Sequence, residues 1–178
     1  MFIKNTYNFK IKKLNLSIKC ISERHINQKY LSSIKKSNFI LNKSNSDELW
    51  QKKYIKKINL AKSKIILGFF YNNQLIATSG LQNLNKKYVS VGIFIFNKNF
   101  LNKKISHFFI AHACIFINKF FNKKNFFAGF NKKNIKSILS YEKIGFGTYL
   151  TKKKTTFKRT TIQKIKLKIG RASCRERV

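Results

Sequence analysis

The 178-residue sequence predicts a mixed α/β (α+β) domain whose central sheet of six to seven strands carries about four helices on its two faces. Segments with alternating or continuous apolar residues predict strands, and segments with an apolar residue every three or four positions predict helices. The predicted order is one strand, two helices, a three-strand meander, and then helices and strands in alternation. A hydrophobic content of 43% and an aromatic content of 15% argue against a disordered chain.

The N-terminal elements follow from apolar periodicity. Alternating apolar residues predict a first strand over residues 14–21. The pair Ser22-Glu23 is typical of a helix start, and three apolar residues recur there every four positions, namely Ile26, Tyr30 and Ile34. After a polar loop at 37–46, Asn45 as a cap with Glu48 three residues later predicts a second helix. Its predicted apolar stripe consists of Trp50, Tyr54 and Ile58.

The middle of the chain predicts a meander of three strands. Two strand-like runs, 65–71 and 75–79, are separated by Asn72 and Asn73. Asparagine tolerates positive φ, so this pair suits a two-residue hairpin. A third strand is predicted over residues 88–96.

The remaining elements alternate. The pattern predicts a helix at 104–121, a strand at 125–130, a short helix at 134–143, and strands at 146–151 and 160–168. The long helix is apolar but is interrupted by polar residues, which indicates a core helix instead of a membrane span. No internal repeat or linker divides the chain, so one domain is expected.

The last ten residues, 169–178, differ in composition from the rest. Back-translated, they look like a short-read sequencing adapter, and they hold three of the five arginines in the chain. Such a segment is excluded from fold reasoning, as a fusion scar would be. We therefore expect a single domain at 1–168 and an artefactual tail at 169–178, with the natural C-terminus unknown.

The formal charge of +34 becomes +32 once the three Arg and one Glu of that tail are set aside. A charge of this size can neutralise nucleic-acid phosphates or anionic lipid. The chain is also rich in Lys, Asn, Ile and Phe and lacks Pro, which is typical of an AT-rich genome. Because the lysines are scattered along the sequence, codon bias is the favoured explanation, and nucleic-acid binding stays an alternative.

The cysteine content and the N-terminal sequence bear on three other features, namely disulfides, metal sites and secretion. Residues 1–168 hold two cysteines, Cys20 and Cys114, without C-x-x-C or His-x-His spacing, so neither a disulfide framework nor a metal site is indicated. No secretory signal is visible at the start, and a cytoplasmic protein without a membrane partner is expected.

The most specific segment has the pattern N-x-x-S-x-x-x-Y-E-K-x-G-F, with Asn134, Ser137, Tyr141, Gly145 and Phe146. Asn134 can cap a short helix, and Ser137 and Tyr141 follow at spacings that place them on the same side. Gly145 can then end the helix in the left-handed conformation, and Phe146 returns to the core.

This segment resembles the signature of the GNAT acetyltransferase superfamily, and the order of elements over residues 14–167 is similar to that family. The layout is most similar to the amino-sugar-nucleotide and ribosomal-protein N-terminal acetyltransferases. The resemblance implies the GNAT fold, acetyl-CoA as a co-substrate, and direct acetyl transfer to a primary amine. It also implies that Tyr141 protonates the leaving thiolate, and that Asn134 and Ser137 lie beside the pantetheine arm.

The same resemblance implies two backbone sites for acetyl-CoA. The pantetheine amides would bind the end of the central strand, formed by Ile93, Phe94, Ile95 and Phe96. The pyrophosphate would bind the loop and helix start formed by Asn102, Lys103, Lys104, Ile105 and Ser106. This loop departs from the family's glycine-rich pattern, but its lysines can meet phosphate as point charges.

No general base is evident, because Ser90 and Val91 occupy the strand positions where the family often has Glu. Glu23, His25, His107 and His112 are the remaining candidates, and His112 is expected to be a core residue. We therefore predict an N-acetyltransferase for a small-molecule or peptide amine, such as an amino-sugar nucleotide or a protein N-terminus. A non-catalytic member of the fold and a basic nucleic-acid-binding protein are the alternatives.

Overall fold

A computed structural model describes residues 5–36, 47–101 and 105–175, with the backbone alone for 33–36 and 170–175. The strands are β1 (Tyr7–Ile11), β2 (Leu14–Cys20), β3 (Lys64–Tyr71), β4 (Gln74–Gln82), β5 (Tyr88–Ile95), β6 (Asn125–Asn131), β7 (Gly147–Thr151) and β8 (Thr155–Thr161). The helices are α1 (Gln28–Lys36), α2 (Glu48–Leu60), α3 (Lys98–Leu101), α4 (Ser106–Phe121), α5 (Ile135–Glu142) and α6 (Ile162–Arg175). A 3-10 turn, Glu23–His25, precedes α1.

The eight strands form one sheet in the order β1-β2-β3-β4-β5-β6-β8-β7. All neighbouring strands are antiparallel except β5 and β6, which run parallel. The predicted fold class is confirmed, with one or two more strands than the six to seven expected and six described helices instead of about four. In the described part of the chain, no helix has the length and apolarity needed to cross a membrane.

The sheet separates two apolar cores. Helices α4, α5 and α6 pack on one face, where α4 contributes Phe109, Phe116 and seven further buried residues. Helices α1 and α2 pack on the other face over β3 and β4, through a smaller cluster that includes Tyr30 and Ile55. Side chains alternate between the faces along each strand, so Ile65 and Leu67 join the larger core and Ile66 packs on the smaller one.

The predicted hairpin between β3 and β4 is confirmed. Asn72 and Asn73 have φ angles of 47° and 61°, which is the left-handed pair that a type I′ turn requires. Strand β5, helix α4, strand β6 and helix α5 also lie within two residues of their predicted bounds.

The predicted strand at 160–168 is wrong. Strand β8 ends at Thr161, and α6 begins at Ile162. Ile162, Ile165 and Ile169 recur at helical spacing, and the first two are buried while the third is half-buried on the larger core. Lysines between these isoleucines imitate the alternation of a strand, which is why the pattern misleads. Helix α6 runs across the predicted boundary after residue 168.

For helix α2 on the other face, the predicted cap is wrong and the predicted apolar stripe is confirmed only at Ile58. The cap of α2 is Asp47, whose carboxylate accepts a hydrogen bond from the Trp50 N–H at 2.9 Å, and the predicted cap Asn45 lies outside the described residues. The buried face of α2 carries Ile55 and Ile58, whereas Trp50 stacks on Tyr54 toward the outside at 5.0 Å.

The first predicted helix starts later than expected. Ser22 caps only the 3-10 turn, and α1 begins at Gln28. Ile26 and Tyr30 are buried as predicted, and the side chain of Ile34 lies outside the description. Strand β1 and the short helix α3 were not predicted from the sequence.

Candidate functional site

A wedge-shaped gap opens in the middle of the sheet. Strand β5 pairs with β6 only over Tyr88 to Ser90. Beyond Ser90, β5 continues along β4 to Ile95, and β6 continues along β8 to Asn131. The two halves of the sheet therefore diverge, and the second half of β5 has no strand on its β6 side among the described residues.

The hydrogen bonds at the ends of this stretch show which backbone groups face the gap. The Phe96 N–H donates to the Ile76 carbonyl on β4 at 3.3 Å, whereas the Val91 carbonyl accepts from the Tyr141 hydroxyl on the opposite side. Backbone polar groups of successive strand residues point to opposite sides. Ile93 and Ile95 therefore direct their N–H and C=O groups into the gap, and Phe94 and Phe96 direct theirs toward β4.

Helix α5 places Tyr141 at the edge of the gap. The Asn134 side chain accepts a hydrogen bond from the Ser137 N–H at 3.3 Å, which caps the helix as predicted. At the other end Gly145 has a φ of 93°, and its N–H donates to the Glu142 carbonyl at 2.9 Å, so the predicted left-handed end is confirmed.

Tyr141 itself is 2% exposed. Its ring lies between Phe130 and Phe146, with ring-centre distances of 4.7 and 5.0 Å. Its hydroxyl donates to the Val91 carbonyl at 2.8 Å. Burial, with a smaller effect from Cys114, raises the pKa of the Tyr141 phenol well above its ordinary value. The hydroxyl is therefore protonated at neutral pH and is held at the carbonyl two residues before Ile93.

A cleft of about 610 Å³ lies between the first turn of α4 and helix α5. Ser106 and His107 line one wall, and Lys136 and Ser140 are on the other. The Ser106 and Ser140 hydroxyl oxygens are 2.7 Å apart, and Ser140 donates to the Lys136 carbonyl at 2.9 Å. Ser106 therefore donates to Ser140, and this bond ties the start of α4 to α5.

The start of α4 is electropositive. Its cap residue, Ile105, makes no side-chain hydrogen bond to the helix, and the first turn has no acidic residue. The first N–H groups of a helix lack intrahelical partners and favour anions. The side chain of Ile105 is buried in the core, so only its backbone is available to the cleft. The predicted phosphate-binding residues Asn102, Lys103 and Lys104 lie outside the described residues.

The candidate bases do not converge on the gap. His112 is a buried core residue, as expected, with its ring stacked on Phe9 at 4.0 Å. Burial lowers the pKa of His112 to about 4. His25 accepts a hydrogen bond from the Ser22 N–H in the 3-10 turn, and burial followed by the positive charge of Lys19 lowers its pKa.

The two remaining candidates take different places. Glu23 is exposed in the same 3-10 turn as His25. His107 is half-buried in the cleft, beside Phe108. The described residues contain no group of three or more His, Cys, Asp or Glu side chains that could hold a metal ion.

Sequence reasoning missed three groups at this site. Ser140, instead of Ser137, reaches across the cleft to Ser106. The Val91 carbonyl receives the Tyr141 hydroxyl. Lys158 on β8 is buried and donates to the Glu142 carboxylate at 2.7 Å, which fixes the end of α5 against the sheet. None of the three has a sequence signal, because each depends on strands and helices that are distant in the chain.

The sheet is open on the face opposite this cleft. Gly80 on β4 pairs with Gly92 on β5. A Cβ atom built on Gly80 would meet no atom within 4 Å, and one built on Gly92 would meet only the Gly80 carbonyl oxygen at 3.7 Å. The two glycines therefore form a flat floor beside the gap, and a second molecule can approach the gap from this side.

Comparisons with known proteins agree on the fold. No family model matches the chain, and no curated protein matches its sequence. Among solved structures, RimJ of Mycobacterium smegmatis in complex with CoA-disulfide has a TM-score of 0.76 at 9% identity, over 97% of this chain and 98% of that one. The Campylobacter jejuni N-acetyltransferase PseH in complex with acetyl coenzyme A has a TM-score of 0.62 at 18% identity, over 81% and 98%.

A third similar structure is a chimera of the spermidine N-acetyltransferase SpeG from Vibrio cholerae with hSSAT, with a TM-score of 0.71 at 13% identity, over 84% of this chain and 97% of that one. These identities are low, but the likeness extends over most of each chain. The chain therefore has the fold of the GNAT N-acetyltransferases.

Proposed function

We propose that this protein is an acetyl-CoA-dependent N-acetyltransferase that transfers the acetyl group directly to a primary amine. The observation that carries the proposal is the gap between β5 and β6, with Ile93 and Ile95 facing it and the Tyr141 hydroxyl at its edge. Solved structures of the same fold are in complex with acetyl coenzyme A or CoA-disulfide. The acceptor is an amino-sugar nucleotide or a protein N-terminus.

The described residues suit the pantetheine arm of acetyl-CoA. An extended chain with amide groups can bond the backbone of Ile93 and Ile95 as an added strand would, because β6 has diverged there. The cleft between α4 and α5 then leads to the electropositive start of α4, where phosphates are stabilised. Asn134 and Ser137 support this wall by fixing the first turn of α5.

The chemistry needs few protein groups. The amine nitrogen attacks the thioester carbonyl carbon, the carbon–sulfur bond breaks, and the sulfur leaves with the bonding electrons. A backbone N–H facing the gap stabilises the negative charge that develops on the carbonyl oxygen. In the proposed role of Tyr141, its hydroxyl turns from the Val91 carbonyl and gives its proton to the sulfur. The proton lost by the amine passes to water, and the phenolate left on Tyr141 regains a proton from water.

Release of the CoA thiol with a panel of amines tests this proposal. Amino-sugar nucleotides and peptides with free N-termini are compared, and thiol release with either supports transfer to that class. No release with any amine, despite acetyl-CoA binding, would favour a non-catalytic protein of this fold.

Two proline variants test the role of the gap itself. Ile93→Pro removes an N–H that faces the gap, so the sheet should survive while acetyl-CoA binding is lost. Phe94→Pro removes an N–H that faces β4, so it should mainly destabilise the sheet. If Ile93→Pro folds and binds acetyl-CoA as the parent does, the gap is not the pantetheine site.

A further inference from the structure

The open face of the sheet carries a second set of side chains beyond the two glycines. On β6 and β8, Phe126 and Lys158 point to the helices α4–α6 and are buried, whereas Phe127 and Arg159 point to the opposite face. The cluster formed by α1 and α2 reaches only to β5 on that face, at Phe94. The β6–β8–β7 part of the face is therefore uncovered among the described residues.

Arg159 on this face is held by aromatic rings. Its guanidinium carbon lies 3.6 Å from the ring centre of Tyr149 and 4.5 Å from that of Tyr88. The two rings come from β7 and β5, which lie on opposite sides of β8 in the order of the sheet. Contacts of this kind restrict the long side chain and leave the N–H groups at the edge of the guanidinium plane accessible.

Those N–H groups have no acceptor in the described part of the chain. Neither a hydrogen bond nor an ion pair links the guanidinium of Arg159 to a described residue, and the carboxylate of Glu142 is engaged by Lys158 on the other face. A guanidinium fork that is already positioned matches the oxygens of a phosphate or carboxylate and can bind them in pairs. An anion from outside the chain is therefore the expected partner.

The register of the sheet gives the separation between Arg159 and the gap. Arg159 pairs with Phe127, which pairs with Ser90, and Gly92 at the gap is two residues further along β5. Gly92 and Arg159 are two strands apart across the sheet and two residues apart along the strand direction. Their Cα atoms are therefore about 12 Å apart. An α-amino acid carries its carboxylate only two bonds from the amine, so it cannot reach both places. The acceptor must be extended.

We propose that Arg159 is the acceptor-recognition residue of this enzyme and that it binds the diphosphate of a nucleoside-diphosphate-linked amine. The inference rests on the proposed function. The half-buried rings of Phe127 and Phe157 lie beside Arg159 on the same face and offer surfaces for stacking a base. A nucleotide supplies both the phosphate oxygens and the flat ring that this face accommodates.

The test is calorimetric binding of UDP-glucose at physiological salt to the full chain saturated with CoA, so that the probe cannot occupy the CoA cleft. Arg159→Gln should weaken binding roughly tenfold to a hundredfold, as expected for hydrogen bonds to a charged group. Arg159→Lys should not restore it, because an ammonium lacks the planar fork. Arg24→Gln, which removes the only other arginine of residues 1–168, is the control for charge and should bind like the parent.

Equal binding by the parent and Arg159→Gln, or no binding by the parent, overturns the inference. If an acidic peptide binds more tightly than UDP-glucose and Arg159→Gln abolishes that peptide binding, the nucleotide assignment is overturned. Thermal melts show that the variants are folded, and little change is expected because Arg159 is exposed. CoA binding is measured first, and UDP-glucose is also titrated without CoA. A chain that binds UDP-glucose through Arg159 but does not bind CoA would contradict the proposed function and leave the role of Arg159 in place.

Discussion

Replacement of Tyr141 by Phe separates the two roles that its hydroxyl can have, which are to hold β5 through the Val91 carbonyl and to protonate the leaving sulfur. The ring would keep its contacts with Phe130 and Phe146, so the only group removed is the hydroxyl that donates to the Val91 carbonyl at 2.8 Å. Loss of a partner for a buried carbonyl costs about 1–3 kcal/mol. For a chain of this length, we expect the melting temperature to fall by roughly 2–12 °C.

The effect on turnover is a separate quantity. General acid catalysis contributes about 10²–10⁴-fold, and we expect the low end of that range. Burial raises the pKa of the Tyr141 phenol above its ordinary value, so proton transfer to a thiolate is less favourable than from an exposed phenol. Because the proton moves only as the sulfur leaves, the rate should fall while the affinity for acetyl-CoA stays nearly constant.

The assay measures turnover and acetyl-CoA affinity at a temperature well below the melting point of the variant. Tyr7→Phe is the matched control, because it removes a phenol contact to His112 at 3.4 Å on the edge strand β1. It should lower stability slightly and leave the rate unchanged. A folded Tyr141→Phe variant that acetylates at the parent rate would refute the acid role, and a lower melting point alone would then assign the hydroxyl to holding β5.

Three further predictions concern stability. The pKa of His112 is about 4 in the folded chain and near 6.5 when unfolded, so only the unfolded chain gains this proton as pH falls from 6.5 toward 4. The free energy of unfolding should therefore drop by up to roughly 3 kcal/mol over this range. Denaturation measured at several pH values should show a flatter dependence of stability on pH for His112→Phe. Gly145→Ala should lower the free energy of unfolding by at least about 1 kcal/mol in a urea titration, because the φ of Gly145 is 93°. Gly147→Ala is the control and should leave the free energy of unfolding nearly unchanged, because its added Cβ would meet nothing within 4 Å. A chain ending at Ile169 should have the same melting temperature as the full chain. A chain ending at Lys168 should be less stable by about 1 kcal/mol, because it lacks the apolar surface that Ile169 buries. A fall of several degrees in the melting temperature of the chain ending at Ile169 would show that residues 170–178 belong to the fold.

Local chemistry made much of the fold predictable. The Asn72-Asn73 turn, the Asn134 cap and the Gly145 helix end each depend on residues close in sequence, and the structure has all three. The error at 160–168 has the same origin, because lysine and isoleucine interleave there in a way that satisfies both a strand and a helix pattern. Packing of Ile162 and Ile165 against the core decides for the helix.

The site was less predictable, since its geometry depends on pairing between distant segments. The parallel contact of β5 with β6 ends at Ser90, which opens the gap. Alternation along β5 then turns the backbone groups of Ile93 and Ile95 toward the gap and those of Phe94 and Phe96 toward β4. The contacts of Ser106 with Ser140 and of Arg159 with its two tyrosines likewise join elements that the sequence does not place together.

Calorimetric titration of the full chain with acetyl-CoA shows whether the protein binds the co-substrate that its fold implies. We expect binding that weakens with added salt, because the sequence predicts that lysine charges take the place of the family's glycine-loop contacts to the pyrophosphate, and salt screens charge pairing. The double variant Lys103→Ala/Lys104→Ala should bind more weakly, and Lys152→Ala/Lys153→Ala, at the turn between β7 and β8, should bind as the parent does. Absence of binding at millimolar acetyl-CoA by a folded parent chain would contradict the proposed function and leave a protein that has the acetyltransferase fold without its reaction.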